Sequence, residues 1–282
     1  MVALIGRPNA GKSTLLNNLL GHKVAITSPK PQTTRFNLQA VYEDSRGQII
    51  FIDTPGIFGK VKDALARRLN LKAEESLAQG VDLIVYLVDH TRQRGIEENR
   101  ALGIVRKIKV PKLLVINKTD IKNPSYIVQY KFMEEEFDQT LEISALTRKN
   151  LNLLLERIFQ YLPEGKPLAE TKDRTQPGLN LDSRTFLAEI IREKAFLFLR
   201  REVPYTLTTV VDEVSERDNG VTYIKARILT SADRYKAMIV GKAGAMIKEI
   251  SMAARKELET ATNKKIFLEL TVETDPHWMA YL

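Results

Sequence analysis

A glycine-bearing loop near the N-terminus constrains this chain more than any other feature. Val2-Ala3-Leu4-Ile5 is a short apolar run, Gly6-Arg7-Pro8-Asn9-Ala10-Gly11-Lys12-Ser13 follows it, and Lys12 to Leu20 carries apolar residues at helical spacing. The eight residues fit G-x-x-x-x-G-K-[ST], a loop whose backbone N–H groups wrap a polyphosphate. A buried strand running through a tight turn into a helix is the context this pattern requires. The loop glycines allow close backbone approach, and the helix start adds free N–H groups and a positive dipole end. Lys12 is expected to reach the β- and γ-phosphates and the Ser13 hydroxyl to ligate Mg²⁺. Asn9, Ala10, Gly11 and Thr14 complete the expected phosphate contacts.

The rest of the N-terminal part sustains an α/β reading. Gln48 to Ile52, Asp82 to Val88 and Lys112 to Ile116 read as strands, and Leu151 to Leu162 as an amphipathic helix stopped by Pro163. Strands alternating with helical patterns argue for a largely parallel sheet with helices on both faces. From Lys166 to Leu181 the chain turns polar and includes Pro177-Gly178, which reads as a linker. The expected organisation is therefore a first domain over 1–165, a linker over 166–181 and a second domain over 182–282.

In the second domain Arg184 to Arg201 is helical, with Pro204 as its expected stop. Tyr205 to Glu213 and Val221 to Leu229 read as a hairpin around Asp218-Asn219-Gly220. A short helix from Arg234, the turn Gly241-Lys242-Ala243-Gly244, a helix from Ala245 to about Thr260 and a strand from Lys265 to Val272 complete an α-β-β-α-α-β order. With 282 residues both domains have room for a core. The chain has no cysteine, which suits a reducing cytosol. Its N-terminus shows no signal-peptide pattern, and the apolar run near Val81 to Val88, broken by Asp82, is too short to span a bilayer.

Several further motifs carry chemistry. Asp53-Thr54-Pro55-Gly56 ends a strand, which puts the Asp53 carboxylate near a metal, through a water, and the Gly56 N–H where a γ-phosphate is sensed. Thr34, in the polar loop Pro31 to Arg35, is the expected second Mg²⁺ hydroxyl, with Thr33 as the alternate. Asn117-Lys118-Thr119-Asp120 resembles the guanine-reading motif of GTPases. The Asp120 carboxylate accepts from both guanine N1–H and the exocyclic amine, a pair that adenine does not offer, and such sites discriminate by roughly 10⁴-fold. Asn117 is expected to hold the loop and meet the base, the Lys118 stem to cover the ring, and Ser144-Ala145-Leu146 to offer a backbone N–H to the guanine oxygen. Where Ras-like switches carry a water-orienting Gln, this chain has Ile57, followed by Phe58. The chain thus resembles GTPases with a hydrophobic residue at the catalytic position, and slow intrinsic hydrolysis is the expectation. The resemblance implies K⁺ as a source of charge, held partly by Asn9 at the position of the phosphate-loop Asn of some such relatives. His22, His90 and His277 are read as solvated.

The formal charge of +8 permits an anionic partner, yet residues 182–282 contribute little of it, with 16 Lys/Arg against 15 Asp/Glu. The basic residues there cluster locally: Arg234, Lys236, Lys242, Lys248, Arg255 and Lys256 flank the G-x-x-G turn. A G-x-x-G between consecutive helices in this element order resembles a type II KH domain, an α+β RNA-binding fold. Two glycines let the backbone approach a sugar-phosphate strand. The RNA-contacting set read from this pattern is Ile239, Val240, Gly241, Lys242, Ala243, Gly244, Ala245, Met246 and Lys248, with Ile239, Val240, Met246 and Ile247 flooring an apolar groove.

A nucleotide-binding domain of this kind followed by a KH-like domain, with Glu189 to Lys194 and Val203-Pro204-Tyr205 in addition, resembles the Era family of bacterial ribosome-assembly GTPases over nearly the whole chain. The resemblance implies hydrolysis of GTP to GDP with Mg²⁺ and binding of single-stranded RNA near the 3′ end of small-subunit ribosomal RNA. It also implies a role in maturing the small ribosomal subunit, as a cytoplasmic monomer without a DNA partner, and it admits peripheral contact with the inner membrane. With Ile57 at the catalytic position a second reading stays open: an RNA-binding module whose first domain is a nucleotide-stabilised scaffold with negligible turnover.

Overall fold

The structure is a computed structural model that describes residues 1–28, 30, 35, 38–56, 80–168 and 183–281. It divides into two compact units, Met1–Asn180 and Leu181–Leu282. Of the expected linker, residues 169–181 lie outside the described residues.

The first unit is built on a six-stranded sheet in the order β2-β3-β1-β4-β5-β6. Its strands are β1 (Val2–Ile5), β2 (Leu38–Asp44), β3 (Gly47–Asp53), β4 (Leu83–Asp89), β5 (Lys112–Asn117) and β6 (Gln139–Glu142). All neighbours pair in parallel except β2 with β3, which run antiparallel around a turn closed by Arg46 N donating to Asp44 Oδ1 at 2.8 Å. β1 and β4 are buried along their whole length, as a strand covered on both faces must be. Among the described residues its helices are α1 (Lys12–Leu20), α2 (Ile96–Lys107), α3 (Ile127–Lys131) and α4 (Leu151–Tyr161). α2 places Glu97 and Glu98 in its first turn and Arg106 and Lys107 in its last, which suits the helix dipole. Ile5, Tyr86, Val88, Leu102, Leu114, Ile116 and Tyr130 share one apolar core.

Strand order reverses at β1: the chain passes to β3 on one side and to β4 on the other. In open α/β sheets the crevice beyond the carboxyl ends of the strands at such a point receives ligands. The loops that follow β1, β3, β4, β5 and β6 all leave from that edge, and all but the β4 loop carry motifs singled out above.

The second unit follows the α-β-β-α-α-β order with α5 (Ser183–Phe198), β7 (Leu207–Glu216), β8 (Thr222–Thr230), α6 (Asp233–Val240), α7 (Ala245–Thr262) and β9 (Ile266–Thr274). β7 pairs antiparallel with β8, and β8 parallel with β9. Ile190, Ile191, Ile224, Ala226, Ala254 and Leu258 form one core cluster, and Phe196, Leu207, Ile228, Ile239 and Ile250 another. One expectation fails locally: α5 ends at Phe198, well before Pro204. That proline sits instead inside a 3₁₀ turn, Val203–Thr206, where its fixed φ suits a first-turn position and its missing N–H costs nothing.

Candidate functional site

The phosphate-type loop is shaped by backbone geometry. Asn9 (φ 63°) and Gly11 (φ 103°) both take left-handed conformations. Gly11 has no substitute, since a Cβ there would lie 2.3 Å from Asn117 Nδ2. Lys12 heads α1 and is buried; its Nζ donates to the carbonyls of Gly6 at 3.0 Å and Arg7 at 3.2 Å. Burial holds the Lys12 ammonium below its usual range, opposed by the charges of Asp53 and Glu98.

Ser13 Oγ donates to Asp53 Oδ2 at 2.7 Å. Asp53 is wholly buried, and its Oδ1 has no hydrogen-bond partner among the described residues. Burial pushes this carboxyl up, against the pull of Lys12 and the Ser13 hydroxyl. A buried carboxylate oxygen without a partner beside a serine hydroxyl is a set of hard oxygen donors, and it fits Mg²⁺ held through few protein ligands. Gly56 lies against the Pro8 backbone, so the D-x-x-G end and the phosphate loop meet. Thr33, Thr34 and Ile57 lie outside the described residues.

Asn117 ties three loops together. Its Nδ2 donates to Ala10 O at 2.8 Å and its Oδ1 accepts from Ala145 N at 2.8 Å. Within the Ser144-Ala145-Leu146 element the Ala145 N–H is thus engaged by Asn117, whose buried amide must satisfy both of its ends locally. Asp120 is exposed and accepts from Ser144 Oγ at 2.5 Å, while Ser144 Oγ accepts from Thr147 N at 3.1 Å. Leu146 is 70% exposed beside the buried Ala145. Lys118 takes φ 69°, and its Nζ meets Asp89 Oδ2 at 2.7 Å. Burial opposes ionisation of Asp89, but Lys118 and Thr91 outweigh it and the carboxyl sits below its usual range.

Sequence reasoning missed the layer beneath these loops. Arg7, a variable position of the loop motif, is buried: Nη1 donates to Gln93 O at 3.0 Å, Nη2 to Asp89 O at 2.9 Å, and Nε faces Glu98 Oε2 at 3.3 Å. Tyr86 OH donates to the Glu98 carboxylate from the other side. Burial raises the Glu98 carboxyl, with Tyr86 and Arg7 opposing. His90, read as solvated, is 4% exposed. Burial of a polar side chain this far from its sequence partners leaves no periodic signal to read.

In the second unit the Gly241–Gly244 turn joins α6 to α7 with φ 74° at Gly241, 52° at Ala243 and 78° at Gly244. A Cβ on Gly241 would stand 2.7 Å from Met246 Cβ, so the turn packs back on the following helix. Lys242, Ala243, Ala245 and Lys248 are exposed, while Val240, Gly244, Met246 and Ile247 are partly covered. Ile239 does not floor a groove. It is 0% exposed and packs in the core cluster with Tyr235 and Ile250, because α6 buries the face on which Ile239 falls. Met246 with Met238, Phe198 and Val203 lines a cavity of about 410 Å³ edged by Arg200 and Arg201.

Comparison with known proteins gives the family of both units. The family model described as 50S ribosome-binding GTPase matches residues 1–118, and the KH domain model matches 202–279. GTPase Era of Halothermothrix orenii is 39% identical over 279 residues, covering 98% of this chain and 93% of that protein. GTPase Era of Geotalea daltonii is 39% identical over 285 residues, covering 98% and 92%. A variant of Aquifex aeolicus Era bound to GDP and AlF₄⁻ superposes with a TM-score of 0.89 at 38% identity, covering 98% of this chain and 94% of that one. Era in complex with MgGDPNP and nucleotides 1506–1542 of 16S ribosomal RNA gives a TM-score of 0.90 at 38% identity, covering 98% and 93%.

Proposed function

This chain belongs to the Era family of GTPases, and on that premise we propose that it is a nucleotide-controlled switch that captures the 3′ region of small-subunit ribosomal RNA and assists small-subunit maturation. Its enzymatic activity is hydrolysis of GTP to GDP, and measured turnover separates this from a scaffold with negligible turnover. One observation carries the reading: the loops after β1, β3, β5 and β6 converge on one edge of the sheet, in a chain that also presents an exposed Lys242 at a G-x-x-G turn.

In this reading Lys12 neutralises the β- and γ-phosphates and the Gly56 N–H senses the γ-phosphate. Ser13, Asp53 through a water, and Thr34 hold Mg²⁺, which supplies positive charge against the phosphates. Asn117 braces the phosphate loop against the base-reading loop, Lys118 covers the ring and Asp120 reads its edge, with Ser144, Ala145 and Leu146 framing it. RNA lies on Gly241 to Ala245, Val240 and Met246, with Lys242 and Lys248 on its phosphates. The protein acts as a cytoplasmic monomer on the small ribosomal subunit, without a DNA partner.

The test is the affinity for a short RNA copied from that 3′ end, measured with GDP and with a non-hydrolysable GTP analogue at fixed salt. Tighter binding with the analogue supports the switch; equal affinity would uncouple the two units for this ligand. Absence of binding in both states removes the RNA assignment. Lys242→Ala should weaken binding about uniformly across RNA sequences and lower the slope of log affinity against log salt by about 1.

The hydrolytic step carries its own prediction. If Asn9 helps hold K⁺ as the charge that an arginine finger supplies elsewhere, turnover in KCl exceeds turnover in NaCl. The left-handed φ of 63° at Asn9 is one that asparagine adopts readily, so backbone shape by itself accounts for the residue. Equal rates in the two salts would remove K⁺ from the scheme.

A further inference from the structure

The residue directly after β4 is buried and polar, and no motif accounts for it. His90 is 4% exposed, and its two ring nitrogens each find a partner: Nδ1 lies 3.0 Å from Ser125 Oγ and Nε2 lies 3.0 Å from Lys118 O. A carbonyl only accepts, so Nε2 carries the proton and donates to Lys118 O. In the neutral ring Nδ1 then accepts from the Ser125 hydroxyl, which fixes the tautomer.

Lys118 O is not an arbitrary target. It also accepts from Ile121 N at 2.9 Å, closing a turn whose central residues are Thr119 and Asp120. Lys118 opens that turn with φ 69°, a conformation sparsely populated by lysine. The loop is held from behind at a second point, where Tyr126 N donates to His90 O at 2.7 Å. Asp89, the residue before His90, accepts from Lys118 Nζ at 2.7 Å. One end of β4 thus grips Lys118 by its backbone through His90 and by its side chain through Asp89.

We propose that His90 is a positioning residue for guanine recognition: it pins the Lys118–Ile121 turn so that Asp120 meets both donors of the base at once. The inference rests on the reading of Asp120 as the base-reading residue. Its consequence is specific, because a two-point contact suffers more from a misplaced carboxylate than a one-point contact does. Inosine diphosphate lacks the exocyclic amine and offers Asp120 one donor where guanosine diphosphate offers two.

The experiment compares the affinities of the full chain for GDP and IDP at fixed Mg²⁺ and salt. His90→Ala should lower the ratio of GDP to IDP affinity by about threefold to tenfold, the range set by one hydrogen bond's net worth. His90→Gln, whose amide N–H can reach Lys118 O, should restore most of the ratio. Ser125→Ala should give an intermediate fall, since the ring loses the partner that selects its tautomer. A merely structural role would weaken both nucleotides alike and leave the ratio unmoved, and that result would overturn the proposal. Should His90→Ala not fold, an unchanged ratio in Ser125→Ala overturns it equally. A wild-type chain that binds GDP and IDP with equal affinity would instead overturn the assignment of Asp120 itself.

Discussion

Asp120→Asn lowers affinity for GTP and GDP by about 10⁴-fold and turns the site toward xanthine nucleotides; this is the largest effect expected of any single substitution here. The magnitude follows from pairing. A carboxylate facing guanine N1–H and the amine satisfies both, whereas an amide nitrogen turned to the same edge meets two donors with a donor. The direction of the switch follows from the local geometry. Ser144 Oγ donates to Asp120 Oδ1 at 2.5 Å and is itself held by Thr147 N. In the variant the amide oxygen keeps the serine bond, so the NH₂ group faces the base and suits the carbonyl that xanthine carries in place of the amine. Competition of GDP and XDP for a labelled nucleotide reads the outcome. Retained GTP affinity in Asp120→Asn would leave base selection without its physical basis.

The second large effect concerns stability. Glu98→Ala leaves the Arg7 guanidinium buried without its carboxylate, and removing one member of a buried pair costs about 3–5 kcal/mol. For a unit of this size that amounts to a fall of roughly 6–20 °C in the thermal midpoint. Arg7 is also the phosphate loop's tie to Asp89 and Gln93, so nucleotide affinity should fall with it. Arg7→Met combined with Glu98→Leu should recover much of the lost stability, because neither charge is then stranded. Calorimetry of the single and double variants tests both statements. A single variant as stable as the wild-type chain would show that Arg7 and Glu98 do not form a coupled buried pair.

What was legible in the sequence was local. Helix α1 spans Lys12–Leu20, as its apolar spacing predicts, and the glycine turns of both units stand where their motifs place them. Contiguous residues specify these features because backbone conformation, capping and periodicity are short-range properties. The edge strand β2 has no clear sequence signature, since the run Leu38 to Asp44 breaks apolar/polar alternation at Ala40-Val41-Tyr42. Ile239 lies in the core and not in a groove, because helical spacing tells which residues share a face but not which face a neighbouring element covers.

The sequence by itself determined the α/β and KH-like element orders, the phosphate loop with its Lys12 and Ser13, and the Asn117-to-Asp120 reader. Each is a contiguous pattern whose chemistry follows from its own residues. Only the tertiary structure decided that Arg7 is stapled to Glu98, that Asn117 bonds Ala10 and Ala145, and that His90 holds Lys118. These partners lie far apart in the chain and meet because the parallel order of β3, β1, β4, β5 and β6 brings their carboxyl ends to one edge. A buried polar group must find its hydrogen bonds among whatever that edge assembles, so its partner is set by sheet order and not by sequence spacing.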